Sequence, residues 1–285
     1  MRAGAKSLES YAAEQLEARL KKLGTNLRRA AKDTENAGHI HDLRVAIRRH
    51  TQAMRVFADL LDRGRVRRIQ RKLRKVMDLC GETRNCDIAL AVLAAAGVTP
   101  DGPLKRRLER GRVEAAARLK QHLKDWKINR RIRIWGRWLH PEGGPPQTAP
   151  SAARRALRPL AAEFFRTAQV AAKPDSTPEQ LHRFRLLSKR LRYSLEIFEP
   201  VLGADGKRAL ARLRELQERL GAVNDCAASA AAIARLGEDG PPLRRARRAL
   251  RRLLRERMEA FRAWWREHMD AKEQRRWRHW IGNIK

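Results

Sequence analysis

The stretch HDLRVAIRRHTQAMRVF, residues 41–57, carries two kinds of residue at helical spacing. A helix advances about 100° per residue, so Arg44, Arg48 and Arg55 fall within about 60° of His41. The apolar residues fall on the opposite side: Leu43, Ala46, Ile47, Met54, Phe57 and Leu61. The pattern predicts a helix that packs one face into a core and presents a histidine with a row of cations on the other.

A second stretch, HRFRLLSKRLRYSLEIF at 182–198, repeats this arrangement, with His182 in the place of His41. The segment KLRKVMDLCGETRNC at 72–86 matches RLRELQERLGAVNDC at 212–226 in the same order. The apolar face of the second copy holds Phe184, Leu187, Leu191, Leu195 and Phe198. Two matched segments in one order indicate an internal duplication. Since the connections are short, each half is expected to be an antiparallel helical bundle.

Helical periodicity extends over nearly the whole chain, and Ala, Leu, Arg, Glu and Lys dominate the periodic segments. The sequence therefore predicts an all-α fold with two halves, residues 1–140 and 151–285, joined by a Pro/Gly linker at 141–150. Thr177 is an expected helix N-cap, with Pro178 at the first helical position. Further breaks are expected at Gly24, Gly64, Gly81, 99–103, 203–206 and 237–242.

Positive charge dominates the composition of the 285 residues, with 65 Lys and Arg against 32 Asp and Glu and a formal net charge of +33. Such self-repulsion implies a polyanionic partner, and nucleic acid, an anionic membrane and polymeric phosphate all fit the sign of the charge. A hydrophobic content of 42% at helical spacing favours a folded chain over a disordered one. The sequence has no membrane-spanning apolar run and no signal-peptide core, so we expect a soluble cytoplasmic protein.

Catalytic and metal-binding patterns do not accompany the basic rows. The sequence holds no nucleophile–base pair, phosphate-binding glycine loop or carboxylate cluster with metal spacing, so we expect a non-enzymatic protein without cofactor or metal. Cys80, Cys86 and Cys226 form no disulfide framework, which fits a reducing compartment. Cys86 and Cys226 follow matched glycines and are expected to be small packing residues where a loop meets a helix.

Nucleic acid is the main alternative to a phosphate polymer, because basic helices bind duplex backbones through the same electrostatic attraction. Aromatic residues make up only 5% of the chain, and the tryptophans lie at the ends of the halves, where packing roles are expected. Proteins that stack bases place aromatic residues among the basic ones. A linear phosphate polymer needs only charge and a narrow groove, so nucleic acid is the secondary candidate. The basic tail RRWRHWIGNIK at 275–285 fits an ordered or a free segment.

Four motifs occur in order along the chain: H-x-x-R-x-x-x-R-R at 41–49, G-x-x-R-N-C-D-I at 81–88, H-x-x-R-x-x-x-K-R-x-R-Y at 182–193 and L-G-x-x-N-D at 220–225. With them the chain resembles the CHAD family, named for a conserved histidine α-helical domain. The resemblance implies two helical bundles related by a pseudo-two-fold axis, with a basic central groove or pore that binds inorganic polyphosphate. It also implies association with polyphosphate granules. Nothing matches the E-x-E-x-K strand of the triphosphate tunnel hydrolases fused to some relatives, so a stand-alone binding module is expected.

The positions that match the family motifs are expected to line the polyphosphate groove. These are His41, Arg44, Arg48, Arg49, His182, Arg185, Lys189, Arg190, Arg192 and Tyr193. Further basic positions on the second and third helices of each half are included in the same predicted site: Arg55, Arg68, Lys72, Lys75, Arg208 and Arg212. Arginine suits this role because its guanidinium fork binds phosphate oxygens in pairs and keeps its charge. Neighbouring phosphates stabilise imidazolium, so they should raise the pKa of a histidine in the row.

Overall fold

The computed structural model describes residues 7–98, 102–141, 143, 147–234 and 240–284. This part of the chain contains nine α-helices, one 3-10 turn and no β-strand, which confirms the all-α class. None of the helices so described has the length and hydropathy of a membrane span. The elements are α1 (Leu8–Lys32), α2 (Ala37–Val56), a 3-10 turn (Ala58–Leu60), α3 (Arg63–Ala95), α4 (Gly102–Lys124), α5 (Ile128–Trp138), α6 (Ala149–Ala171), α7 (Pro178–Ala234), α8 (Pro241–His268) and α9 (Ala271–Gly282).

Local hydrogen bonds explain where the two histidine-bearing helices begin. The Asn36 side chain caps α2 by accepting hydrogen bonds from two backbone N–H groups of the first turn, at 3.0 and 3.1 Å. At α7 the predicted cap is confirmed. The Gln180 N–H donates to Thr177 Oγ1 at 3.3 Å, and Thr177 N–H donates to the Gln180 side-chain oxygen at 2.8 Å. This reciprocal pair is a capping box, with Pro178 as the first helical residue.

Two glycines that were predicted to interrupt helices lie inside them. α3 continues through Gly81 and α1 through Gly24, so both predictions are wrong. A Cβ at Gly81 would lie 3.2 Å from Nη1 of Arg44, and a Cβ at Gly24 would lie 3.1 Å from Cγ1 of Ile132. These glycines therefore permit a close approach instead of forming a turn.

The matched cysteines are also inside helices, Cys86 in α3 and Cys226 in α7, instead of at the predicted loop-to-helix junctions. Cys226 is buried and Cys86 is half-buried, with its Sγ 3.6 Å from where a Cβ of Gly111 would lie. Burial raises the pKa of both thiols, and it raises the pKa of Cys80 to about 12. Protonated, enclosed thiols agree with the expected packing role.

At Gly203 the chain bends as predicted. This glycine has φ 62° and ψ −157°, a combination that residues with a side chain avoid, and it separates a first and a second part of α7. Of the other predicted breaks, 99–101, 235–239 and the linker residues 142 and 144–146 lie outside the described residues. The helices that follow them begin at Gly102, Pro241 and Ala149, respectively.

Contacts divide the chain into two compact units, of which the first contains the residues up to Asp87 together with Glu109–Ala152. Within it, α1 packs against α2 and α5. The predicted apolar face of α2 is confirmed as buried at Leu43, Ala46, Ile47 and Met54, and the predicted Phe57 and Leu61, which follow the helix, are buried as well. Trp126 and Trp135 are buried edge to face with their centroids 6.1 Å apart. These tryptophans pack in the core of this unit, as predicted.

The second unit contains Ile88–Leu108 and the residues from Ala153 onward, and in it α7 packs against α8. The predicted apolar face of α7 is likewise buried: Phe184, Leu187, Leu191, Leu195 and Phe198. The end of α3 and the start of α4 contribute to this unit's core: Ala89, Leu93, Ala96 and Leu108 pack with Cys226, Ile233, Leu243, Ala246, Leu250 and Leu253.

The predicted position of the Pro/Gly linker and the predicted internal duplication stay predictions.

The C-terminal tail forms the helix α9 and packs into the second unit. Phe164 of α6 lies 5.0 Å from Phe184 and stacks on Trp277 of α9 with an interplanar angle of 8°. The Arg154 guanidinium donates to the carbonyl of Ile284 at 2.5 Å. The tail is therefore ordered by aromatic contacts and by a hydrogen bond at its end.

Candidate functional site

The predicted cationic row on α2 lies opposite the buried face of that helix. His41 and Arg55 are exposed, and Arg44 and Arg48 are half-buried. The half-buried Arg49 lies about 80° around the helix from His41, so it occupies a different face. The structure thus brings the histidine together with two of the arginines predicted to accompany it at one-turn spacing.

Hydrogen bonds to the backbone hold the two arginines nearest His41. Arg44 Nη1 donates to the carbonyl of Met77 on α3 at 3.1 Å. The absence of a side chain at Gly81 leaves room for this guanidinium. Arg48 Nε donates to the carbonyl of Arg44 at 3.2 Å. Both guanidinium groups are therefore positioned before any anion arrives, which lowers the entropy cost of binding one.

The surroundings of His41 lower its pKa. Partial desolvation of the imidazole is the largest cause and the Arg84 guanidinium of α3 is the next, while Asp42 opposes the shift and Arg48 and Arg44 add to it. A cationic neighbourhood disfavours imidazolium, and a bound anion would reverse that effect. Arg84 was not among the predicted site residues, although it stands in the motif at 81–88. We call His41, Arg44, Arg48 and Arg84 the first basic surface.

The three cations predicted on α3, Arg68, Lys72 and Lys75, are all exposed. Burial lowers the pKa of His122 on α4, and the charges of Lys75, Arg131 and Lys72 lower it further. These electrostatic effects place the two lysines close to His122. The sequence did not indicate this histidine, because it belongs to neither of the matched segments.

The row on the first part of α7 again exposes its histidine, while Arg185 and Lys189 are half-buried. His182 Nδ1 lies 2.5 Å from Asn224 Oδ1 on the second part of α7. Asn224 Nδ2 donates to Asp225 Oδ1 at 3.4 Å, which turns the amide oxygen toward the imidazole. Asn224 belongs to the motif L-G-x-x-N-D at 220–225, and the sequence alone assigns it no role. We call His182, Arg185, Lys189 and Asn224 the second basic surface.

Arg190 and Arg192 contact other residues of the second unit. Arg190 lies 3.8 Å from the Glu163 carboxylate of α6 and lines a groove of about 590 Å³ between α6 and α7. Arg192 Nε lies 3.7 Å from Glu196 Oε1, and its guanidinium lies 5.0 Å over the ring of Tyr193, which is only 4% exposed. Arg190 and Arg192 lie about 80° around the helix from His182, on opposite sides of it, and Arg192 lies about 20° from Arg185. Arg192 thus lies on the side of the helix that carries Arg185, whereas Arg190 contacts α6 and the Tyr193 side chain is buried.

Arg208 and Arg212 lie on the second part of α7 beside acidic residues. Arg208 pairs with the carboxylate of Asp205, and Arg212 Nη1 lies 3.2 Å from Glu215 Oε2. Arg212 also lies 6.0 Å over the ring of Trp264 of α8. These carboxylates balance part of the positive charge at both predicted positions.

The chemistry of the two basic surfaces is hydrogen-bond donation to anions from charged groups. Guanidinium and ammonium groups donate without accepting, and an imidazole adds a donor whose position depends on its protonation. Within the ranges that the structure describes, no group of three or more His, Cys, Asp or Glu side chains is arranged to hold a metal ion.

Comparison with known proteins assigns the family. The CHAD domain model matches residues 14–234. The crystal structure of the CHAD domain from the plant Ricinus communis is similar at a TM-score of 0.68 and 20% identity, over 99% of this chain and 93% of that one. The structure of PptA from Streptomyces chartreusis is similar at a TM-score of 0.62 and 20% identity, over 92% of this chain and 99% of that one. No curated protein sequence matches significantly. Because the family model spans most of its length, the chain belongs to the CHAD domain family.

Proposed function

We propose that this protein binds inorganic polyphosphate without reacting with it, and that this binding places it at polyphosphate granules. One observation carries the proposal. An exposed histidine followed by two basic residues at one-turn spacing occurs on α2 and again on α7, each time opposite a buried face. The CHAD family membership supports the proposal, since polyphosphate binding is what the resemblance to that family implied.

A repeated cationic surface matches a repeated anionic ligand. Each internal phosphate of the polymer carries a charge and offers oxygens that accept hydrogen bonds, and guanidinium groups bind such oxygens in pairs. Arg44, Arg48 and Arg185 supply this type of donor, and Lys189 supplies a compact charge. A ligand that is the same at every repeat needs no sequence readout, so charge and spacing are sufficient for recognition.

Nucleic acid remains the second candidate function, and one feature of the second unit favours it. The helix α8 presents a continuous exposed set of arginines: Arg245, Arg248, Arg251, Arg252 and Arg255. Such a face binds a duplex backbone through its charge, without base-specific contacts.

The proposal is tested by titrating the full chain with long-chain polyphosphate and, in parallel, with duplex DNA at physiological salt. We expect polyphosphate to bind more tightly, with a log affinity that falls linearly with log salt concentration because each contact releases a counterion. Incubation with polyphosphate and magnesium should release no phosphate above the protein-free level. DNA binding of equal or greater affinity would favour the nucleic-acid function, and phosphate release in proportion to protein concentration would show an enzyme.

A further inference from the structure

The two basic surfaces differ at one matched position beside the histidine. Arg84 and Asn224 occupy the same place in the aligned segments. In the first surface the Arg84 guanidinium acts on His41, and in the second the Asn224 amide oxygen contacts His182. A cation next to an imidazole disfavours the charged imidazolium form. A hydrogen-bond acceptor instead favours a proton on the ring nitrogen that faces it.

The contact with Asn224 determines the position of the proton on His182. Because the amide nitrogen of Asn224 donates to Asp225 at 3.4 Å, the amide oxygen faces His182 Nδ1 at 2.5 Å. An amide oxygen only accepts, so Nδ1 must carry a proton. The neutral ring then has an unprotonated Nε2, whose lone pair repels a phosphate oxygen. Only the imidazolium form has an Nε2–H that donates to an anion.

At the first surface, Arg84 offers His41 no acceptor and disfavours its charged form. A guanidinium accepts no hydrogen bond, and its permanent charge disfavours the imidazolium form of His41. At this matched position of the first surface, the guanidinium of Arg84 therefore provides the positive charge for an anion, whereas at the matched position of the second surface the charge must come from a protonated His182. The charge of Arg84 is present at every pH at which the protein is folded.

We propose that Asn224 is a positioning residue that makes His182 a proton-linked ligand for anions, whereas Arg84 makes the first surface permanently cationic. The inference rests on the proposed function, because it describes how each of the two surfaces binds polyphosphate. When an anion binds at the second surface, one proton moves from solvent to Nε2 of His182. Affinity at this surface is therefore expected to increase as the pH falls.

The charged groups around the imidazole are of both signs. On its own helix, Glu179 and Arg185 lie one turn away on either side, and Asp225 lies beyond the amide of the second part of α7. The α8 helix contributes Arg257, which acts on the nearby thiol of Cys226. Among these neighbours, Asn224 is the one that accepts a hydrogen bond from the His182 ring.

Nitrogen-15 NMR of the full chain tests the positioning role without any ligand. The chain has eight histidines, so the signal of His182 is assignable as the one that His182→Gln removes. At about pH 8 we expect Nδ1 protonated and Nε2 unprotonated. Asn224→Leu should shift the ring toward the Nε2–H form that isolated imidazoles favour, and Asn224→Asp, which keeps an acceptor, should preserve Nδ1–H. A wild-type ring protonated mainly on Nε2 at this pH would overturn the inference.

Titration with polyphosphate at about pH 8 and pH 6 tests the proton linkage. A single charge-assisted hydrogen bond is worth about tenfold or more in affinity, so the wild-type gain between these pH values should exceed that of His182→Gln by about tenfold. Asn224→Leu should flatten the gain, because the neutral ring then donates from Nε2, and Asn224→Asp should retain it. Arg84→Asn should weaken binding more at about pH 8 than at about pH 6, because it removes a permanent charge and also one of the causes that lower the pKa of His41.

The two proposals fail in different ways. If the wild type binds polyphosphate but shows the same pH dependence as His182→Gln and Asn224→Leu, the proton-linked role is wrong and the proposed function stands. If the wild type binds no polyphosphate at either pH, the proposed function is wrong. The coupling of His182 protonation to polyphosphate binding is then wrong as well. The NMR measurement still decides whether Asn224 positions the His182 proton.

Discussion

Burial separates two kinds of histidine in this protein. His41 and His182 are exposed on the basic surfaces, whereas His50 of α2 is fully buried. Among the described residues, neither ring nitrogen of His50 has a hydrogen-bond partner. Burial lowers its pKa to about 4, and the charge of Arg19 acts in the same direction. His50 is therefore a neutral core residue at neutral pH.

Acidification should destabilise the fold through His50. Its pKa is about 4 in the fold against an ordinary value of 6.5, so the unfolded chain binds the proton more readily. The stabilising contribution is complete above about pH 6.5 and is lost as the pH falls toward 4, by about 3 kcal/mol at most. Urea unfolding at about pH 7.5 and pH 4.5 should show a loss of stability that is roughly 2–3 kcal/mol smaller in His50→Leu than in the wild type. An equal loss in both proteins would rule out this titration.

Glycines shape the helices in two ways at the scale of the elements. Gly81 stays in the helical conformation and gives space to the Arg44 guanidinium, which belongs to the first basic surface. Gly203 takes a left-handed φ of 62° and bends α7, which places Asn224 of its second part beside His182 of its first part. The contact between His182 and Asn224 in the second basic surface therefore depends on this bend.

Replacing Gly203 by alanine should lower the free energy of unfolding by about 1–3 kcal/mol, because a side chain makes this φ/ψ combination costly. Gly221 of the same helix is the matched control, since it lacks a left-handed φ and an added Cβ would meet nothing within 4 Å at either position. Gly221→Ala should therefore stabilise by about 0.5–1 kcal/mol. The measurement is chemical unfolding of both variants, and effects of the same sign would contradict this account of the bend.

The whole molecule has a net charge of +33, so it attracts any polyanion over much of its surface. Removing positive charge anywhere will weaken such binding to some extent. The role of a particular surface is therefore measurable only against an equal loss of charge elsewhere. The exposed arginines of α8 provide that comparison, because they lie outside the predicted polyphosphate site.

Neutralising the three exposed α3 cations, with Arg68→Gln, Lys72→Gln and Lys75→Gln combined, should weaken polyphosphate binding at least about tenfold, at roughly 0.5–1 kcal/mol for each lost contact. The control combines Arg248→Gln, Arg251→Gln and Arg255→Gln, which remove the same charge from α8. It should reduce affinity less and leave the slope of log affinity against log salt nearly unchanged. Equal losses in the two triple variants would show binding governed by net charge alone.

Local patterns explain why much of the architecture was predictable. The helical class, the buried faces of α2 and α7 and the Thr177 cap depend on residues within a few positions of each other, and the structure confirms all three. The interruptions predicted at Gly24 and Gly81 were wrong, because a glycine that ends a helix and one that admits a neighbour look alike in sequence. The deciding contacts come from Ile132 and Arg44, which lie on other helices.

The sequence alone determined the family motifs, the repeated histidine rows and the excess of positive charge, since these depend only on residue type and spacing. The tertiary structure decided which cations accompany each histidine. Arg190 contacts Glu163 on α6, Arg84 joins His41 from α3, and Asn224 reaches His182 across a sequence separation of 42. Helical periodicity assigns a face to a side chain, but only the packing of one helix against another determines what that face meets.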